Sequence, residues 1–263
     1  MAEGVTTRRV MRVREGAEWL DDRVVVEEPI EIRLNGTAMA VIMRTPGHEE
    51  ELALGFALTE GIVSDPGQVT SIDALGEGRW DILLRDTSPV DTSRFQRNFY
   101  ATSSCGVCGK ASIDAIRVTG ATPPAGPTVD KTVLLGLPEK LMGEQHAFHA
   151  TGGIHAAAAF EPDGTLLATR EDVGRHNAVD KLVGRLAESR WRLDGLGLIV
   201  SGRVSFEIVQ KAAVAGLSLV AGVSAASSLA VDLAEEFGMT VIGFLRQGGF
   251  TVYCGGQRIS GLG

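Results

Sequence analysis

The sequence predicts an α/β fold in two parts: a smaller, strand-rich N-terminal domain over residues 1–128 and an α/β/α three-layer domain over residues 129–263. Three observations predict it. Short apolar runs with a hairpin signal at Asn35-Gly36 fill the first part. Pro123, Pro124 and Pro127 with two glycines between Thr119 and Thr128 mark a linker. Beyond it, apolar strands alternate with helical patterns, the signature of a mostly parallel sheet with helices on both faces.

In order, residues 1–20 read as irregular or edge-like. Val24 to Val26, Ile30 to Leu34 and Ala38 to Met43 read as strands. After Pro46-Gly47 a helix begins, with Glu49, Glu50 and Glu51 in its first turn, where the helix dipole favours carboxylates. Leu52, Gly55, Phe56 and Thr59 share a face and Gly61 ends the helix. Ile72 to Leu75 and Trp80 to Leu84 form a hairpin over Gly76-Glu77-Gly78. A polar, basic stretch from Asp86 to Tyr100 leads to a cysteine-bearing loop, after which Ile113 and Ile116 suggest a short helix.

In the second part, Leu137 to His146 reads as a helix. Gly153 to Phe160 and Leu166 to Thr169 pair around Pro162-Asp163-Gly164. Val179, Leu182, Val183 and Leu186 fall on one helical face. Strands over Leu196 to Val200 and Ser218 to Val223 alternate with helices over Ser205 to Ala215 and from Ser227 or Ser228 to Phe237. Thr240 to Leu245 and Phe250 to Tyr253 close the fold.

The net charge of -8 argues against nonspecific nucleic-acid binding, while leaving room for a local basic pocket. No apolar run is long enough to span a bilayer and the first residues lack an apolar leader, so the sequence predicts a cytoplasmic protein without membrane contact. Three cysteines in a chain of 263 residues do not suggest a disulfide framework.

In such sheets ligands bind beyond the carboxyl ends of the strands. Four loops are predicted there: Arg170 to Asn177, Ser201 to Ser205, Ser224 to Ser228 and Arg246 to Gly249. Helix N-termini attract phosphate, and Arg175, Arg203 and Arg246 supply charge that forks onto its oxygens. Any one loop reads equally well as a capped turn bearing a solvated arginine; several at adjacent strand ends favour an anion site. His176 is a candidate acid/base or phosphate donor, or simply a capping residue. His155 reads as buried and His48 as a turn residue.

Cys105-Gly106-Val107-Cys108 admits three readings. Half of a zinc site would need two more ligands, and the remaining cysteine, Cys254, stands alone. A redox pair would open a helix directly after a strand, whereas Gly106 and Gly109 make an exposed loop. A group-carrying nucleophile fits Lys110 and a following helix start, both of which favour the thiolate. Cys254 reads as structural.

Cys105-Gly106-Val107-Cys108-Gly109 resembles the signature loop of the FdhD/NarQ family. The resemblance extends through Pro46 to Gly61, Thr151 to Ala157, Glu171 to His176, Val204 to Lys211 and Val223 to Ala226. It implies a sulfur carrier that takes sulfur from a cysteine desulfurase and delivers it to the molybdenum cofactor, in its bis(molybdopterin guanine dinucleotide) form, for formate dehydrogenase. It implies Cys105 as the persulfide-bearing catalytic residue, Cys108 in support, and Leu245, Arg246, Gln247, Gly248, Gly249 and Phe250 as the cofactor-binding segment. A homodimer and a C-terminal domain of cytidine-deaminase-like fold are also implied. Deaminases hold zinc at two helix starts; here those read Arg175-His176-Asn177 and Arg203-Val204-Ser205, so no bound metal is expected. The rival function is a cofactor-binding chaperone that carries no covalent sulfur.

Overall fold

The computed structural model of the chain describes residues 4–85 and 126–262. Cys105, Cys108, the predicted helix near Ile113 and most of the predicted linker lie outside the described residues.

The first element corrects an expectation. Residues read as irregular or edge-like are regular: they form a long two-stranded antiparallel hairpin of β1 (Val5–Val13) and β2 (Ala17–Val25), each an edge strand. Strict apolar alternation is missing, but the register sets opposite charges across the strands: Arg8, Arg9 and Arg12 lie opposite Asp22, Asp21 and Glu18, and Arg12 pairs with Asp22 at 3.6 Å. Arg9 also sits over the Trp19 ring, 6.0 Å from its centre. The expected strand from Val24 is the end of β2.

A four-stranded sheet follows, in the order β4-β3-β6-β5. β3 (Glu28–Leu34) turns into β4 (Thr37–Arg44) through Asn35 and Gly36, at φ 45° and 77°. Both angles are left-handed, as a type I′ turn requires. β5 (Val69–Gly76) and β6 (Arg79–Leu84) form a second hairpin, and β6 joins β3 in parallel. α1 (Glu49–Thr59) covers this sheet, with Ile30, Ile32, Leu34, Ile82, Leu52 and Leu58 in one core.

The second half opens with β7 (Val129–Asp130) and α2 (Lys131–Glu144). α2 begins well before the expected Leu137. Asp130 caps it by accepting from Thr132 N at 2.8 Å, and Pro138 is accommodated inside the helix rather than at its start. α3 (His146–Thr151) leads to β8 (His155–Phe160) and β9 (Leu166–Asp172). Then come α4 (Arg175–Ala187), β10 (Gly197–Val200), α5 (Phe206–Ala215), β11 (Leu219–Gly222), α6 (Ser228–Glu236), β12 (Thr240–Arg246) and β13 (Gly249–Cys254). β14 (Ile259–Ser260) pairs with β7.

The central sheet has the order β13-β12-β11-β10-β8-β9. The expected mostly parallel sheet is in fact mixed. β10, β11 and β12 are parallel, but β8 and β13 run against their neighbours. Tight turns at Pro162-Asp163-Gly164 and Gln247-Gly248 explain it, since such short connections join only antiparallel strands. Alternate residues face opposite layers. Ala157, Ala159, Leu198, Val200, Val220 and Val241 pack toward α4, α5 and α6. Ala156, Ala158, Phe160, Ile199, Leu219 and Ile242 pack toward α2.

α1 lies directly against α4. A Cβ added to Gly55 would fall 1.8 Å from the Asp180 carbonyl oxygen, and one on Gly184 would fall 1.9 Å from that of Glu51. The two backbones touch, so glycine is required at both positions. The same core cluster therefore runs from the N-terminal sheet through α1 into the layer of α4 and α5.

Candidate anion site at the sheet edge

Strand direction builds the site. β9, β10, β11 and β12 all run the same way, while β8 and β13 run opposite. The four predicted strand-end loops therefore emerge along one edge, and His155 and Gly249 begin their strands there. A bridge between Val204 and Ala226 draws the loops after β10 and β11 together.

Asp172, the last residue of β9, anchors this edge and is fully buried. Its carboxylate accepts from Thr45 N at 3.0 Å, Gly174 N at 2.8 Å and Asn177 Nδ2 at 2.9 Å. Lys181 Nζ pairs with it at 2.8 Å and also donates to the Thr45 carbonyl. One buried pair thus fastens the loop between β4 and α1 to the start of α4, with nearly every lone pair used.

Above it, two helix starts meet. Gly174 caps α4 without a side-chain bond, leaving free N–H groups at that terminus. Ser205 precedes α5, but its hydroxyl makes no cap bond and lies 3.3 Å from His176 Nε2. The same nitrogen is 2.7 Å from Glu207 Oε2. Burial works against the Glu207 carboxylate, yet the His176 bond and the charges of His176, Lys211 and Arg175 together hold its pKa below the ordinary value. His155 stands close by; a Cβ on Gly202 would lie 3.3 Å from its Nδ1 and 3.8 Å from Arg175 Cδ. Burial, then Arg175 and His176, push the His155 imidazole below the ordinary histidine range. Arg175 Nε is buried and has no hydrogen-bond partner among the described residues, and the same holds for Glu207 Oε1. Unpaired buried polar atoms are costly, and several around one spot mark a place for a ligand.

The predicted cofactor-binding segment is the hairpin from β12 to β13, on the same edge. Arg246, Gln247 and Gly248 are exposed there, and Gln247 Nε2 reaches Glu139 Oε2 at 3.1 Å. Leu245 is fully buried in the α2-side core and Phe250 packs against that cluster, so these two side chains hold the turn from beneath. Gly249 stands at φ 152°. Arg203 is exposed and Arg175 half-buried. Sequence reasoning missed Phe244, an exposed aromatic in the left-handed region at φ 51° whose N–H donates to Ser224 O at 3.0 Å. The Gly preceding it, packed against Tyr253, was its only sequence signal. Glu207 was missed as well, because its partner His176 lies on a different helix. Cys254 is half-buried with its thiol pKa raised by burial, in keeping with a structural role.

The chain is an α/β protein whose second half is a helix-covered mixed sheet with arginines gathered at its carboxyl edge. The sequence model of the FdhD/NarQ family matches residues 25–260, and the chain belongs to that family. It is 46% identical over 269 residues to sulfur carrier protein FdhD of Streptomyces coelicolor, covering 96% of this chain and 95% of the relative. Sulfur carrier protein FdhD of Mycolicibacterium paratuberculosis is 48% identical, covering 90% and 92%. That of Sulfolobus acidocaldarius is 41% identical, covering 91% and 92%. A crystal structure from Desulfotalea psychrophila, provisionally described as a formate dehydrogenase accessory protein, superposes with a TM-score of 0.79 at 21% identity, covering 97% of this chain and 99% of that one. It shows the same fold.

Proposed function

We infer that the chain is a sulfurtransferase of the carrier type, working in the cytoplasm as a homodimer. It takes persulfide sulfur from a cysteine desulfurase and delivers it to the molybdenum bis(molybdopterin guanine dinucleotide) cofactor on its way to formate dehydrogenase. The observation that carries the reading is 41–48% identity, over nine-tenths of the chain, to relatives named sulfur carriers. The edge site supports it, because the acceptor carries two guanine dinucleotides, each with a diphosphate to hold. Among the described residues no helix is long and apolar enough to cross a membrane.

Cys105 is the carrier. Its thiolate attacks the terminal sulfur of the desulfurase persulfide; the donor S–S bond breaks, a new one forms on Cys105, and the donor cysteine leaves as a thiolate. No net oxidation occurs. Cys108 assists its neighbour. The acceptor is substrate rather than a resident group. Its phosphates suit Arg246 and the amides of Gln247 and Gly248 on the exposed turn, and the helix starts beside Arg175. Donors and cations of this kind suit phosphate oxygens.

The test is intact mass after incubation with desulfurase and cysteine. One added sulfur atom, removable by reductant and absent from Cys105→Ala, is expected. An unchanged mass would leave a cofactor-binding chaperone that carries no covalent sulfur.

A further inference from the structure

We propose that His176 is an anion-binding residue of the acceptor site, acting beside Arg175, and that Glu207 is its positioning residue. This rests on the reading of the acceptor as a guanine dinucleotide.

The geometry excludes the more familiar use of these residue types. A serine activated by histidine needs the hydroxyl on one ring nitrogen and the carboxylate on the other. Here Ser205 Oγ and Glu207 Oε2 both approach Nε2, at 3.3 and 2.7 Å. Ser205 is thus no nucleophile, and Nδ1, without a hydrogen bond among the described residues, is the atom left for a ligand. The carboxylate locks the ring and fixes where Nδ1 points.

Arg175 gives a second, independent indication. It begins α4, is half-buried, and its Nε is buried without a partner. No ion pair forms between it and any carboxylate among the described residues. The Glu207 carboxylate feels its charge without pairing directly, so this half-buried cation gains from an arriving anion. The start of α4, without a side-chain cap, adds N–H groups beside it.

The surrounding charges decide the sign. From β8 comes His155, whose burial disfavours its charged form. From β9 comes Asp172, already paired with Lys181. From α5 come Glu207 and Lys211, the latter committed to Asp180 and Glu60. Arg203 before α5 is exposed. The Glu207 carboxylate is taken up by His176 Nε2, so Arg175 supplies the cation and His176 Nδ1 the hydrogen-bonding atom that meet the anion.

A GDP-sugar such as GDP-mannose is the probe, since its diphosphate is a diester and lacks the ionisation near pH 6 of a terminal phosphate. Calorimetric titration of the full chain at constant pH should show His176→Ala and Arg175→Ala each binding about fivefold to tenfold more weakly than the wild type, the scale of one charged or hydrogen-bonded contact. In Glu207→Ala the ring is no longer held, so adding His176→Ala to that variant should cost no further affinity. A folded His176→Ala protein that binds as tightly as the wild type overturns the proposal. If the variants do not fold, nitrogen-15 histidine spectra of the wild type decide: GDP-mannose must perturb the His176 Nδ1 resonance, and no perturbation overturns the idea. Binding that ignores His176 sinks this inference alone. No binding at any pH removes the nucleotide reading and this inference with it.

Discussion

Glu51 shows how one carboxylate ties the two halves together. It lies on α1, and Arg170 of β9 grips it with Nη2 2.6 Å from Oε1. Burial opposes its ionisation, but the bonds to Arg170 and His48 prevail and hold its pKa at about 2, against an ordinary 4.5. A depressed folded-state pKa means stability that is complete above pH 4.5 and drains away as pH falls toward 2. Glu51→Gln should therefore cost about 1–2 kcal/mol at neutral pH, the range of a charge-assisted bond. It should also flatten the loss of stability between those limits. Urea unfolding at pH 7 and pH 3 checks this; a variant as acid-sensitive as the wild type would place the effect elsewhere. The dipole argument for Glu49, Glu50 and Glu51 was visible in the sequence, but the Arg170 partner, far along the chain, was not.

At the scale of elements, the crossing of α1 and α4 controls how the halves fit. Gly184 carries no turn and sits inside a helix, where glycine is otherwise a loss relative to alanine. An isolated helix would gain from Gly184→Ala; the folded chain must lose, because the new Cβ would fall 1.9 Å from a backbone carbonyl oxygen. That contact cannot relax by a side-chain rotation, so a cost above about 3 kcal/mol is expected, at the severe end of overpacking. A melting temperature unchanged in Gly184→Ala would disprove the tight crossing. Local signals found most elements: Asn35-Gly36 gave its hairpin, and Gly61 and Gly216 stand in the left-handed region just past α1 and α5. What local signals missed were partnerships. The β1–β2 hairpin sets opposite charges across its strands, α2 depends on a cap at Asp130, and the strand directions depend on two tight turns whose consequences appear only in the assembled sheet.

At the scale of the molecule, Asp172 and Lys181 fasten the loop before α1 to the edge that gathers the predicted site. Asp172→Asn leaves Lys181 buried without a counter-charge and should cost about 3–5 kcal/mol, read from denaturant midpoints. The site itself was half legible. Glycines and arginines at strand ends announced the edge, while the His176–Glu207 pair required two helix starts to be brought face to face.

Two chemistries should be separable within this architecture. The cysteines proposed to carry sulfur belong to the first part of the chain, and the residues proposed to hold the acceptor belong to the turns of the second. Cys105→Ala should fold, melt with the wild type and bind GDP-mannose with unchanged affinity while accepting no sulfur. Arg246→Ala should do the reverse. Arg246 is exposed at the β12–β13 turn, so its loss should leave stability within about 0.5 kcal/mol. It should still load sulfur on Cys105, yet weaken GDP-mannose binding by about tenfold, as expected for one phosphate contact. Intact mass and calorimetry on the two variants give four readings. If Cys105→Ala also loses nucleotide binding, the loop is part of the pocket and the two-site arrangement fails. If Arg246→Ala binds as well as the wild type, the turn is not where the phosphates rest.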